Sequence, residues 1–145
     1  MDLSKKLYSS SFEEEVFHLN DDNKHLNNKD YFWYLEKVRE RFLAEFGWSD
    51  KYFRNEKNIA QTRRGYIGDI RYRGSFKKGD IMQIGLEITK GKMGFFHMTF
   101  NFYDVGGKLI FNATSSDRFV KVEGDKELPI PVPDFFLEAL RKRKG

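Results

Sequence analysis

Residues 20–47 read NDDNKHLNNKDYFWYLEKVRERFLAEFG, a polar run that passes into a long aromatic helix. Apolar residues recur at Tyr31, Tyr34 and Leu35, Val38, Phe42 and Phe46. Steps of three and four lay one apolar stripe along about four helical turns. Asn27 or Asn28 can supply the N-cap, and Gly47 is well placed to end the helix. Phe32, Trp33 and Leu43 widen the apolar surface, so the helix should be covered on more than one side.

Outward from this helix the pattern changes to period two. Upstream, residues 12–19 (FEEEVFHL) read as an extended segment of poor alternation. Downstream, Tyr66, Gly68, Ile70 and Tyr72 fall on one strand face, and Met82, Ile84, Leu86 and Ile88 on another. Lys90-Gly91-Lys92 supplies a tight turn, after which Phe96, Met98, Phe100 and Phe102 alternate with His97, Thr99 and Asn101. Asp104-Val105-Gly106-Gly107 is the next turn, and residues 108–122 make a long last strand. Short connections predict antiparallel neighbours. Pro129, Pro131 and Pro133 carry an extended tail into a helix over about 134–142. One greasy helix and a four-strand meander imply an α+β fold, an antiparallel sheet curled around one long central helix. The sheet's other face or its edge is left for a second subunit. With no internal repeat or linker, residues 1–145 read as a single domain.

Composition bounds the function. Only 39% of residues are hydrophobic, but 17% are aromatic with 15 Phe, so few large side chains can close the core. The net charge of +4 fits nucleic acid, a membrane surface, an anionic small ligand or simply an ordinary basic protein. The absence of cysteine excludes disulfides and thiol chemistry. No apolar run approaches the roughly 18 residues of a membrane span, and no signal-peptide core opens the chain. No membrane association and a cytoplasmic location are the expectation.

Chemistry concentrates just before the helix. Asp21, Asn23, His25, Asn27 and Asn28 lie within eight residues, where a helix N-terminus presents unpaired N–H groups. A carboxylate, polar partners and those N–H groups suffice for acyl transfer. The bland alternative is that these residues only turn the chain and cap the helix. Three scattered histidines give no metal spacing, and there is no Gly-x-Ser-x-Gly elbow. Arg63, Arg64, Lys77 and Lys78 could meet phosphates, whereas the tail Arg141-Lys142-Arg143-Lys144 reads as a solvated end.

The run Asp21-x-Asn23-x-His25-Leu26-Asn27-Asn28-x-x-Tyr31 resembles the signature of hotdog-fold thioesterases, of the 4-hydroxybenzoyl-CoA thioesterase-like and plant acyl-ACP thioesterase branches. Tyr72-Arg73-Gly74-Ser75-Phe76-Lys77-Lys78-Gly79-Asp80 resembles that family's passage between two strands. The resemblance implies Asp21 as general base or nucleophile, the Asn28 N–H as oxyanion donor, and Asn23 and His25 as orienting partners. Asn27 and Tyr31 are expected against the substrate, and Arg63, Arg64, Lys77 and Lys78, near sheet edges, are expected to meet the coenzyme A phosphates. The substrate would be acyl-CoA, or acyl-ACP as alternative. Coenzyme A would enter only as part of the substrate, with no other cofactor. A homodimer or homotetramer follows. Lys24 replaces the Gly common before the His, Leu19 an earlier Asp, and Ser75 a Glu of the plant type. Two other readings are a non-catalytic acyl-CoA-binding hotdog module and a nucleic-acid-binding β-domain. The first would bind without turnover, and the second would bind single strands in a salt-sensitive way.

Overall fold

The structure, a computed structural model, describes residues 6–17, 26 and 28–143, with backbone alone for 28–29 and 63–72. Helix α1 (Asn28–Glu45) is the expected helix. Most of its stripe is buried: Tyr31, Tyr34, Leu35, Val38 and Phe42 lie in the core and Leu43 joins them, whereas Phe46, just past the helix end, is half-buried. Phe32 is half-buried and Trp33 stays at the surface, so the extra coverage extends over part of the widened face. Gly47 adopts φ +75 just past the helix end, a left-handed conformation that glycine reaches without strain.

The strands are β1 (Lys6–Glu15), β2 (Ile59–Tyr72), β3 (Ile81–Lys90), β4 (Phe96–Tyr103), β5 (Leu109–Glu123) and β6 (Lys126–Ile130). The order β1-β3-β4-β5-β2 is antiparallel throughout, with β6 hydrogen-bonded to β5. Met82, Ile84, Leu86 and Ile88 alternate inward as expected, as do Phe96, Met98, Phe100 and Phe102. They meet α1 and leave a half-polar face outside. Tyr8 packs on Phe42 with ring centroids 5.4 Å apart, and Tyr31 stacks on Phe111 at 4.1 Å. Each such buried ring contributes about 1.5–3 kcal/mol over its exposed state.

Several expectations need correction. The first strand begins at Lys6 and stops at Glu15, rather than covering 12–19. Strands β2 and β3 are not neighbours, because β5 takes β2 and β1 takes the free side of β3. The connection 73–80 instead crosses the end of the sheet. Arg73 N–H donates to Ile110 O (2.7 Å) on one side, and Gly79 N–H donates to Val16 O (2.7 Å) on the other. Register shifts between Arg63 and Tyr66, Tyr66 and Gly68, and Gly68 and Arg71 break the alternation of β2. The 108–122 strand is not the last, since the proline tail contains β6, in which Pro129 stands opposite Val120. Between α1 and β2 lie two unexpected helical turns, α2 (Asp50–Tyr52) and a π-helical turn (Phe53–Lys57) that buries Phe53.

Ion pairs tie the helix to β1. Glu14 faces inward and accepts from Lys37 Nζ (3.0 Å) and Arg41 Nη1 (2.8 Å), while Arg41 Nη1 also donates to Glu13 O. Arg41 thereby occupies part of the β1 edge. On the other flank, among the described residues, no strand pairs with the outer side of β2.

Candidate active site

The N-terminal end of α1 is the place where three parts of the chain converge. Tyr31, in the first turn, is 2% exposed and lies between Phe111 of β5 (4.1 Å), Phe102 of β4 (5.8 Å) and Phe76 of the crossing connection (6.3 Å). Leu26 N–H donates to Phe76 O (2.9 Å), and Phe17 N–H donates to Tyr34 Oη (3.1 Å). Phe17 is therefore tied to the second turn of the helix, and Leu26 to the connection whose Phe76 packs on Tyr31.

Asp21, Asn23 and His25 lie outside the described residues, as do Asp22, Lys24 and Asn27. Asn28 opens α1, where the free N–H groups of a helix start are found. Lys77 and Lys78 are exposed on the crossing connection, next to Phe76, and the Lys77 backbone N–H donates to Asp80 Oδ2 (2.8 Å). Arg63 and Arg64 belong to the other half of β2, and the Arg63 Cα stands opposite Asp117 rather than near Phe111. Within one chain the four cations are thus divided between two ends of the sheet. Phe96 and Phe100 are core side chains. Trp33 remains 37% exposed and meets Phe17 edge-on at 5.9 Å, with Lys37 Nζ 4.8 Å from the Phe17 ring centroid.

Beside Phe76 a cleft of about 350 Å³ opens between the connection and the β4–β5 hairpin, bounded by Asp80, Ile81, Asp104 and Val105. Its carboxylates are engaged in turns: Asp104 Oδ1 accepts from Gly106 N–H (3.0 Å) and Lys108 N–H (2.9 Å). Among the described residues, no group of His, Asp and Glu is arranged to hold a metal ion, and no helix is long and apolar enough to cross a membrane.

Two polar features escape a reading of the sequence. Asp30 is fully buried in the first turn of α1. Its spacing from Asn27 is that of a capping box, which is the signal that could have found it. Asp117, also fully buried, accepts a 2.6 Å hydrogen bond from Gln61 Nε2 on the helix-facing side of β5. No local pattern announces that pair.

An antiparallel half-barrel wrapped around one helix, with a polar segment leading into that helix, defines a hotdog-fold thioesterase-like protein. The chain belongs to the thioesterase-like superfamily, whose family model matches residues 17–140. A 1,4-dihydroxy-2-naphthoyl-CoA thioesterase from Synechocystis superposes with a TM-score of 0.75 at 14% identity, over 93% of this chain and 96% of that one. The 4-hydroxybenzoyl-CoA thioesterase of Pseudomonas sp. strain CBS-3 superposes with a TM-score of 0.76 at 15% identity, over 90% of this chain and 98% of that one. A Staphylococcus aureus protein solved in complex with CoA gives 0.73 at 17% identity, over 97% of this chain and 87% of that one. A search of curated proteins finds no match.

Proposed function

We propose that this chain, acting as one hotdog domain, hydrolyses acyl thioesters carried by coenzyme A. The observation that carries the reading is the anchoring of the residues that flank segment 18–25, by Phe17 N–H to Tyr34 Oη and Leu26 N–H to Phe76 O. In this reading a carboxylate from that segment works together with the N–H groups of the helix start. Asp21 takes a proton from water as it attacks the thioester carbonyl, or attacks directly to form an anhydride that water opens. The Asn28 N–H and the helix dipole stabilise the oxyanion, and Asn23, His25 and Asn27 orient the reacting groups. Two solved relatives, one with CoA and one with 4-hydroxybenzoyl CoA, support coenzyme A as the carrier, with acyl carrier protein as the alternative. Lys77 and Lys78 are exposed beside the site to meet its phosphates.

The open edge of β2 supports a homodimer joined along that strand, because an unpaired edge is a template for another chain. Light scattering at micromolar concentration is expected to give twice the 17.3 kDa chain mass or a higher multiple, and a monomer would contradict the pairing. We place the activity in the cytoplasm.

The direct test is thiol release from a panel of acyl-CoA substrates, spanning aliphatic lengths and aromatic acyl groups. Turnover with at least one class is expected. Lys24 and Ser75, where the family carries other residues, favour the second reading of a binding module. Tight binding without turnover across the panel would establish that reading instead.

A further inference from the structure

The first turn of α1 rests on a set of interlocked aromatic rings. Tyr31 stacks on Phe111 at 4.1 Å, with the ring planes 16° apart, and meets Phe102 edge-on at 5.8 Å. Phe102 of β4 and Phe111 of β5 stand opposite one another, and their own rings meet edge-on at 5.3 Å. Phe76 of the crossing connection adds a fourth ring, tilted against Tyr31 at 6.3 Å. None of the four is more than 2% exposed. Rings packed this closely leave little room for an inserted group, and displacing one costs its contacts with the others.

The position of these rings decides how far an acyl chain can enter. In the thioesterase reading the acyl carbonyl meets the N–H groups where α1 begins, at Asn28. Tyr31 follows three residues later, a rise of about 4.5 Å along the helix axis. A chain directed from that carbonyl into the space between helix and sheet meets the Tyr31 ring after about three or four carbons. Beyond that point Phe102 and Phe111 already occupy the space. A longer chain has to stay in water, where its added methylenes contribute nothing to binding, or push a ring aside.

We propose that this aromatic wall restricts the substrate to short acyl groups, of about two to four carbons, and that Phe102 sets the limit; this rests on the thioesterase reading above. Phe102 is the ring that can be removed with least disturbance to the helix start. It meets Tyr31 only by an edge, so the closer Tyr31–Phe111 stack persists without it. The space it vacates lies directly beside Tyr31, in line with the path of the chain.

The test is the dependence of kcat/KM on acyl length, measured by thiol release from a series of saturated acyl-CoA substrates. An apolar channel would raise kcat/KM about fourfold for each added methylene. The wild type should instead show no rise beyond about four carbons, and a continued rise to about eight would overturn the proposal. Phe102→Ala should raise kcat/KM for the eight-carbon substrate about tenfold or more, and leave the four-carbon value within about threefold. An unchanged profile in that variant would overturn the proposal as well. Phe42→Ala removes an equally buried ring that packs on Tyr8 farther along α1, and it should keep the wild-type profile. The same shift in both variants would mean a loosened core and would overturn the wall. Should Phe102→Ala not fold, Phe102→Leu takes its place, with the limit expected to move by about one or two carbons. No turnover at any length would overturn the thioesterase reading alone. Calorimetric binding of the four- and eight-carbon acyl-CoA then decides the wall: the wild type should bind both equally, and Phe102→Ala should bind the longer about tenfold tighter. Tighter binding of the longer one by the wild type would overturn the wall by itself.

Discussion

Replacing Asp21 by Asn is expected to reduce kcat for acyl thioester hydrolysis by about 100-fold or more, because positioned base or nucleophile chemistry contributes at least that factor. The amide keeps the size of the carboxylate and most of its hydrogen bonds. It cannot accept the proton of water at neutral pH, nor can it form an anhydride. KM should therefore move much less than kcat, since the lost interaction belongs to the transition state. The melting temperature should stay close to that of the wild type, because the segment's anchors are the backbone groups of Phe17 and Leu26. Steady-state thiol release and a thermal melt check both halves. Asp22→Asn is the informative companion: adjacent side chains point apart, so only one of the two carboxylates should face the site. A large loss in Asp22→Asn with none in Asp21→Asn would transfer the role. No loss in either would leave the helix N-terminus without its base.

The sequence revealed the parts of this fold that obey one local rule. Helix α1 was legible because every third or fourth residue from Tyr31 to Phe42 is buried. β3 and β4 were legible because each presents an unbroken row of buried side chains to that helix. β2 was harder to read, since its register slips in three places and a slip of one residue exchanges the faces. The order of β3, β4 and β5 was legible from their short turns, but the place of β2 was not. That place depends on which distant strand offers β2 a long partner, and fifteen-residue β5 does so from the far side of the sheet. Pro129 concealed β6, since proline lacks an N–H and reads as the end of pairing, yet an edge position tolerates it. The candidate site divides in the same way. The spacing of Asp21 to Tyr31 is local and could be read directly. Glu14, flanked by two exposed glutamates, is buried only because its neighbours in the strand face the other way. Gln61 and Asp117 lie 56 positions apart, and only the pairing of β2 with β5 brings them together.

The same geometry predicts that the seat of the helix N-terminus governs stability and rate together. Phe111 has no exposed surface, stacks on Tyr31 at 4.1 Å and meets Phe102 edge-on at 5.3 Å. Phe111→Ala removes the ring and leaves a cavity that the rigid sheet can only partly close. The expected cost is about 3–5 kcal/mol, the usual range for a buried Phe cut back to Ala. For a domain of this size that loss lowers the melting temperature by about 10 °C or more. Chemical denaturation should show a reduced midpoint with an unchanged slope. Stability alone does not identify a seat, so the comparison is with Phe42→Ala. Phe42 is equally buried on the same helix, but it packs on Tyr8 and Phe46, away from Phe76 and Phe111. Both variants should lose similar stability. In the folded protein at low temperature, only Phe111→Ala should also lower kcat, because Tyr31 then loses the ring that holds the first turn of α1 in place. Equal kcat losses would mean that the helix moves as one body and that the Tyr31–Phe111 stack has no special hold on its start.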